Sequence, residues 1–521
     1  PGALIGAISL ELPKGMTTKF ILIGLVVIVF LWLLFWAIQR FFVFLVNFCN
    51  KLINTIWDWL SHHHGSKFLI RLITNHKDPK DHQQLTMVIL AALSLLLFIA
   101  TMLNVSYDGP LTYLNRPLFC LLQSIPTPHA NAVFVGITMF GDSPDIFAFG
   151  LLVTLGLMWK KQWRAACYFL ALMIVVGLSV HFLKGIIASP RPSGLAYAIK
   201  TASCPSGHMA LSLTIFGFVA FLTAKQISRE WHWIPYTVAA LFITLIGFSR
   251  LYLGAHWLTD ILGSIFLGFT ILLLVITSYR RYPPKPFASA YWHIFLMLAL
   301  LIPWAIYTGL RYDTMIKRYH YIFPTQNIDV NTWWSNPTKY LPHYRKNRFG
   351  NPTQPFNVQW AGTLKNIKQN LTQHSWIVIY NKTDMKAALG RFASKKPERH
   401  LPLFPQLYRH KSAVLFLIKH LPKKQTIIEL RLWASGTTFT NSTVPLWIGT
   451  INYHVAPQRL LTLKKPHEIT LAASGGIDEL QKDLANYQWK KITVTLERQP
   501  KHVMLLNWDG SIIIIRAHNL K

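Results

Sequence analysis

His256 and Asp260 stand four residues apart in the stretch Ser249-Arg-Leu-Tyr-Leu-Gly-Ala-His-Trp-Leu-Thr-Asp260, at the end of an apolar run. On a helix that spacing sets imidazole and carboxylate on one face. The carboxylate then holds one ring N–H and leaves the other nitrogen free to attack or to take a proton. A His–Asp pair that only caps a helix is the competing reading, and this stretch alone does not decide between them. Two further clusters do. Lys184-Gly-Ile-Ile-Ala-Ser-Pro-Arg191-Pro192 carries two cations seven residues apart, with prolines that stiffen the exit from a helix. Cys204-Pro205-Ser206-Gly207-His208 reads as a helix start with Ser206 as N-cap. Helix N-termini bind phosphate through free N–H groups, and glycine permits close approach.

Together the clusters supply three cations (Lys184, Arg191, Arg250), a helix N-terminus at Ser206 and Gly207, two histidines (His208, His256) and one carboxylate, Asp260. Three cations around one pocket want a multiply charged anion, and phosphate fits. No metal-ligand spacing accompanies them, so the cations must meet the charge of phosphoryl transfer. Two histidines allow a two-step displacement in which one attacks phosphorus and the other protonates the leaving oxygen. Residue types do not say which attacks; the Asp260 spacing favours His256.

The elements that must position these groups are membrane helices. The chain has 521 residues, 52% hydrophobic and 14% charged, with a formal net charge of +32. That balance predicts a membrane protein with a soluble part and points to anionic lipid as the partner of the basic excess. Nucleic acid is excluded as a partner, because the basic residues are dispersed and no nucleic-acid module occurs. A first apolar run, about 20–38, is long enough to span a bilayer. Residues 41–84 alternate aromatic and basic positions and read as an interfacial linker, in which His62-His63-His64 is a polar tract rather than a metal site. Six apolar runs follow: Leu85–Leu103, Ile146–Met158 extended upstream towards Phe134, Ala165–Leu183, Met209–Leu222, Ile234–Phe248 and Ile261–Ile276. The basic clusters Lys160/Lys161/Arg164, Lys225/Arg229 and Arg280/Arg281 occupy alternate connections and mark one side, the cytoplasmic one. All three polar clusters then face the outer side. A further run, Phe295–Leu310, carries the chain outward again.

The expected architecture is therefore an all-α polytopic membrane core with flanking transmembrane helices, followed by a soluble α+β domain. Its boundaries are an N-terminal transmembrane segment (1–40), the linker (41–84), a six-helix core (85–282), an additional helix (283–310) and the soluble domain (311–521). The last carries 31 basic against 11 acidic residues, which suits docking to anionic lipid or another envelope polymer. Strands are expected at Ala413–Lys419, Ile427–Trp433, Leu446–Tyr453, Lys491–Glu497 and Ser511–His518, and helices at Val358–Gln373, Lys382–Phe392 and Gly476–Tyr487. Trp360, Trp433 and Trp447 read as core aromatics in preference to a binding groove. Cys120 and Cys204 both fall on the outer side, where a disulfide is an open option. The sequence opens on Pro1 with no signal peptide and reads as a fragment or a processed product.

Lys-x6-Arg-Pro, Pro-Ser-Gly-His and Ser-Arg-x5-His-x3-Asp, complete and in order, resemble the three signature motifs of the type 2 phosphatidic acid phosphatase (lipid phosphate phosphatase) superfamily, over about 85–279. The soluble relatives in that superfamily include vanadium-dependent haloperoxidases, a reading disfavoured here by the spanning helices around the motifs. The resemblance implies a six-helix core and a metal-independent phosphatase without cofactor. It implies His256 as nucleophile, forming a phosphohistidine, and Asp260 as its orienting carboxylate. His208 would be the acid for the leaving group and then the base for water, and Lys184, Arg191, Ser206, Gly207 and Arg250 would bind the phosphoryl oxygens. The expected substrates are phosphatidic acid, phosphatidylglycerol phosphate or undecaprenyl diphosphate, at the periplasmic face of a bacterial inner membrane. A lipid phosphotransferase using the same site is the alternative the motifs leave open. The opening Pro-Gly-Ala-Leu-Ile-Gly-Ala resembles the tail of DedA membrane proteins, which raises a third reading, a lipid-transport assembly. Phe356–Gly362, Leu401–Gln406, Leu430–Trp433 and Pro445–Thr450 resemble an LssY-type C-terminal domain. Oligomeric state is not legible in the sequence.

Overall fold

The computed structural model describes residues 51–62, 83–125, 127–196, 201–282, 291–323, 325–379, 406–421, 426–455, 473–494, 508–518 and 520. The expected first span, the DedA-like opening, most of the linker and the Lys382–Phe392 helix lie outside them. Residues 51–62 are helical.

The membrane unit is built from helices α1 (Gln83–Ser106), α2 (Asn115–Gln123), α3 (Pro128–Met139), α4 (Ser143–Trp159), α5 (Trp163–Ile187), α6 (Gly207–Ala224), α7 (Trp233–Tyr252), α8 (Leu258–Arg280) and α9 (Tyr291–Arg318). Among the described residues, six helices are long and apolar enough to cross a membrane, and α3 with α4, bent by 44° at their break, would make a seventh if the pair is one span. The protein is a multi-pass membrane protein. All six expected runs and the additional one become helices, because sustained apolar stretches of this length bury their backbone polar groups only as helices in lipid.

The break between α3 and α4 has a local cause. Asp142 is the extended N-cap of α4, and Pro144 follows within its first turn, where the missing proline N–H costs nothing. Gly141 makes the break tight: a Cβ there would lie 3.0 Å from Ile246 Cγ2 and 3.2 Å from His208 Cδ2. Helix α6 is the hub of the unit, 78% buried over its apolar window, whereas α9 is 6% buried and lies at the periphery. A helix apolar all round belongs in a core, and α6 packs through Ala210, Leu213, Phe216 and Phe218 into the central cluster. At the basic end, the Arg164 guanidinium donates to the carbonyls of Tyr279 and Tyr282 and sits 4.6 Å over the Tyr279 ring, fastening α5 to α8.

Helix α9 runs eight residues past its expected end at 310, to Arg318. Cys120 and Cys204 are free thiols, and Cys204 lies against Met102, Sγ to Sδ 3.6 Å.

The soluble unit holds a seven-stranded sheet. Its strands are β1 (Val358–Ala361), β2 (Ile377–Val378), β3 (Leu415–Leu421), β4 (Thr426–Ala434), β5 (Leu446–Val455), β6 (Tyr487–Thr493) and β7 (Ser511–Ala517), in the order β6-β7-β1-β5-β4-β3-β2. Only β7 against β1 is parallel. Helices α10 (Leu364–Gln373) and α11 (Ala473–Gln481) contribute to one of two cores. Alternation along β7 assigns Ile513 and Ile515 to that core and Ile512 and Ile514 to the other. The expected helix over Val358–Gln373 is corrected: its first four residues form β1, buried on both faces, and the helix starts only after Thr363, whose hydroxyl accepts from the Asn366 N–H. Trp360, Trp433 and Trp447 are buried, and their place is the core.

Candidate active site

The up-and-down order of the helices collects the polar clusters at one end. Asp142 starts α4, Lys184 ends α5, His208 starts α6, Arg250 ends α7, His256 and Asp260 stand at the start of α8, and Arg318 ends α9. The basic clusters at 160–164, 225–229 and 280–281 fall at the other end.

His256 sits in the turn before α8 and is 2% exposed. Its Nδ1 lies 3.2 Å from Asp260 Oδ2. The same oxygen accepts from the Trp257 N–H at 2.8 Å, closing a capping box, and from the Ser203 hydroxyl. Three neighbours on one oxygen fix the carboxylate, which stands where it can accept the proton on Nδ1. The other nitrogen, Nε2, faces the Arg191 Nη1 at 3.1 Å. Arg191 has only donors, so this contact requires a lone pair on Nε2. The arrangement is that of a neutral imidazole with its nucleophilic nitrogen turned towards cations. Burial, and then the charges of Arg250, Arg191 and Lys184, hold the His256 pKa well below the usual histidine value.

Arg191 is itself fixed by its loop. It donates to Thr201 O (2.8 Å), Ala255 O (2.8 Å), Thr201 Oγ1 (3.1 Å) and Ala202 O (3.3 Å). Burial, followed by the Arg250 charge, pulls its pKa down to about 10. Lys184 donates to Ala202 O at 2.5 Å, so one short loop backbone positions both cations. Trp257 Nε1 donates to Pro190 O at 2.8 Å and ties this loop to the turn that carries His256.

Ser206 occupies the N-cap position of α6, as expected, but its side chain makes no capping bond. Its N–H donates to Ser264 Oγ at 2.6 Å instead. The Ser206 hydroxyl and Arg250 Nε are buried without a hydrogen-bond partner among the described residues. Buried donors of this kind ask for an acceptor. A cavity of about 510 Å³ is lined by Lys184, Arg191, Gly207, His208, Arg250 and His256. Seven of the eight expected site residues thus line it or, as with Ser206, flank it; Asp260 stands behind His256, fully buried.

Five residues that the sequence reading did not select complete the site. Asp142 Oδ1 lies 2.6 Å from His208 Nε2, and Asp142 Oδ2 accepts from the Tyr307 hydroxyl at 3.1 Å. The Tyr319 hydroxyl accepts from Arg250 Nη1 at 2.6 Å, and the same nitrogen donates to Thr138 Oγ1 at 2.9 Å. Ser203 is the fifth, through Asp260. Asp142 carried a usable signal, an acid in the break of an apolar run. The tyrosines carried none, because their sequence separation from Asp142 and Arg250 hides the contact.

Residues 165–284 match the PAP2 superfamily. All three polar clusters lie inside that span. The membrane core carries a PAP2 superfamily domain. The PAP2 match stops short of Asp142 on one side and of α9 on the other. Residues 338–510 match the family described as LssY C-terminus. Phosphatidylglycerophosphatase B of Bacillus subtilis (strain 168) is similar to this chain, 29% identical over 158 residues, 29% of this chain and 76% of that protein. Undecaprenyl-diphosphatase BcrC of the same organism is 29% identical over 167 residues, 30% of this chain and 80% of that protein. Among solved structures, the PAP2-type phosphatidylglycerolphosphate phosphatase from Bacillus subtilis aligns with a TM-score of 0.34 and 23% identity, over 36% of this chain and 94% of that one.

Proposed function

We propose that this chain is a membrane phosphatase that hydrolyses a lipid phosphate or lipid diphosphate through a phosphohistidine on His256. The observation that carries this reading is the clamp on His256: Asp260 at Nδ1 and Arg191 at Nε2, beside a cavity that Lys184, Arg250 and His208 share. A phosphoryl group bound among the cations would present phosphorus to Nε2. As the Nε2–P bond forms, the bond from phosphorus to the leaving oxygen breaks, and His208 gives that oxygen a proton. His208 then takes a proton from water, whose oxygen attacks phosphorus. Inorganic phosphate leaves and His256 returns to its neutral form. Ser206 and the first N–H groups of α6 would hold phosphoryl oxygens, with Gly207 leaving room for them.

Phosphatidic acid, phosphatidylglycerol phosphate and undecaprenyl diphosphate are the candidate substrates. The two Bacillus relatives named for the latter two chemistries support that range. Phe147, Gly177 and Val180 give the cavity an apolar flank, where acyl or prenyl carbons would stay in lipid while the headgroup reaches the cations. The positive-inside pattern supports a periplasmic location, in a bacterial inner membrane, for this end of the bundle and for the LssY-like segment. His256→Ala is expected to abolish phosphate release while the protein stays folded and membrane-inserted. Parent-level release from that variant would end this reading. Labelled substrate offered with acceptor alcohols separates hydrolysis from phosphotransfer by the fate of the phosphate.

A further inference from the structure

The last turn of α9 brings one more cation to the pocket. Arg318 is half-buried, lines the same cavity as Lys184, Arg191 and Arg250, and forms no hydrogen bond or ion pair with any described residue. Its charge is felt at Arg191. The next residue, Tyr319, is buried and pinned to Arg250 at 2.6 Å, which fixes the backbone beside Arg318. Against these four cations, Asp142 is the single carboxylate lining the cavity among the described residues. Arg191 and Lys184 are tied to loop carbonyls and Arg250 to Tyr319 and Thr138; Arg318 alone of the four is committed to nothing. A lipid monophosphate brings about two negative charges, which three cations already answer, whereas a lipid diphosphate brings about three and spreads them over two phosphorus centres.

We infer that Arg318 forms a second phosphate subsite, which makes a lipid diphosphate the preferred substrate. This rests on the reading of His256 as nucleophile. The terminal phosphoryl group lies among Lys184, Arg191 and Arg250, and the lipid-linked phosphate lies on Arg318. His256 Nε2 bonds to the terminal phosphorus. The bridging P–O bond breaks, its electron pair leaves with the lipid monophosphate, and His208 supplies the proton. Arg318 then meets the charge that gathers on the departing phosphate, so its effect falls on the diphosphate reaction above all.

The test compares farnesyl diphosphate with farnesyl monophosphate, which share a tail. Full-length parent, Arg318→Gln, Arg318→Lys and His256→Ala are assayed in the same detergent, with thermal melting as the check on folding. Arg318→Gln is expected to lower kcat/KM for the diphosphate about tenfold more than for the monophosphate. Arg318→Lys should recover most of that difference, because the charge is kept. Equal losses on both substrates, or no loss on the diphosphate, would overturn the subsite. If Arg318→Gln melts early, Arg318→Met, which keeps the side-chain length without the charge, is measured in its place: a loss confined to the diphosphate supports the subsite, and equal losses on both substrates overturn it. His256→Ala separates the two inferences: inactivity on both substrates keeps the phosphatase reading even where the Arg318 variants show no discrimination, and full activity removes that reading itself.

Discussion

Asp142 and His208 meet across the break between α3 and α4, with Oδ1 2.6 Å from Nε2, and Tyr307 on α9 holds the other carboxylate oxygen at 3.1 Å. The contact exists because Gly141 has no side chain to push α6 away. On the proposed mechanism, Asp142 positions the ring that serves the leaving oxygen. Asp142→Asn is expected to lower kcat by about 100-fold with KM changed less than about threefold. Tyr307→Phe, which removes one hydrogen bond to the carboxylate, should cost about three- to tenfold. Steady-state kinetics on one substrate check both, and an unaffected Asp142→Asn would remove the residue from the mechanism.

Asp260 sets the tautomer of His256. In Asp260→Asn the amide can donate to Nδ1 and drive the proton to Nε2, the nitrogen that must attack. A drop in kcat of about 10³–10⁴ is expected, by analogy with the carboxylate of a hydrolase triad. Acid-labile, alkali-stable label on the protein should fall in parallel, since a misprotonated ring forms no phosphohistidine. Retention of parental label in this variant would contradict the assignment.

The pH dependence follows from the depressed pKa of His256. The reactive form is the neutral one. A lowered pKa keeps it neutral as pH falls through the ordinary histidine range, and activity is lost only when the ring finally protonates. After correction for ionisation of the substrate phosphate, the acid limb of kcat/KM should have its midpoint below the ordinary histidine value of 6.5. A midpoint above that value would show the cations are not coupled to His256 as the geometry requires.

The cations that surround the cavity stand where other phosphoryl-transfer sites use magnesium. Incubation with excess EDTA followed by assay in metal-free buffer should leave kcat unchanged. A loss restored by one divalent ion would point to a different chemistry.

In the soluble unit, Glu429 and Arg431 form a buried ion pair along β4, each 1% exposed, with the guanidinium 3.9 Å from the Phe416 ring centroid. Glu429→Ala leaves Arg431 charged without its counter-ion. A loss of about 3–5 kcal/mol is expected for this unit, read as an early transition in tryptophan fluorescence of the full chain. Phosphatase activity below that transition should match the parent, because Glu429 lies outside the membrane unit.

The spans and the three polar clusters were legible because lipid forces helices and rejects stray charge. Lys184, Arg191, His208, Arg250, His256 and Asp260 therefore announced themselves by type and depth. Asp142 breaks an apolar run as the others do, but it belongs to none of the three motifs. Tyr307 and Tyr319 were illegible for another reason. Amphipathic aromatics are common in membrane helices, and only the packing of α9 against α3 and α4 reveals that these two have polar partners. The Val358–Gln373 helix failed because four buried residues fit either period, and the deciding feature was the Thr363 cap. Ser206 keeps the N-cap position but not the capping bond: its hydroxyl has no partner among the described residues, and its N–H goes to Ser264 Oγ.

Helix α9 also changes where the catalytic machine ends. The PAP2 match closes at 284, yet the wall of the pocket continues to Tyr319 and the membrane unit to Ile322. The LssY segment is thus joined to the core through the wall of the pocket, not through a dispensable spacer. An excision placed just after α8 would take away Tyr307, Arg318 and Tyr319 along with the appendage, and the lost activity would be blamed on the wrong domain. Grafting this tail onto another phosphatase at the same point would transplant part of a substrate site with it.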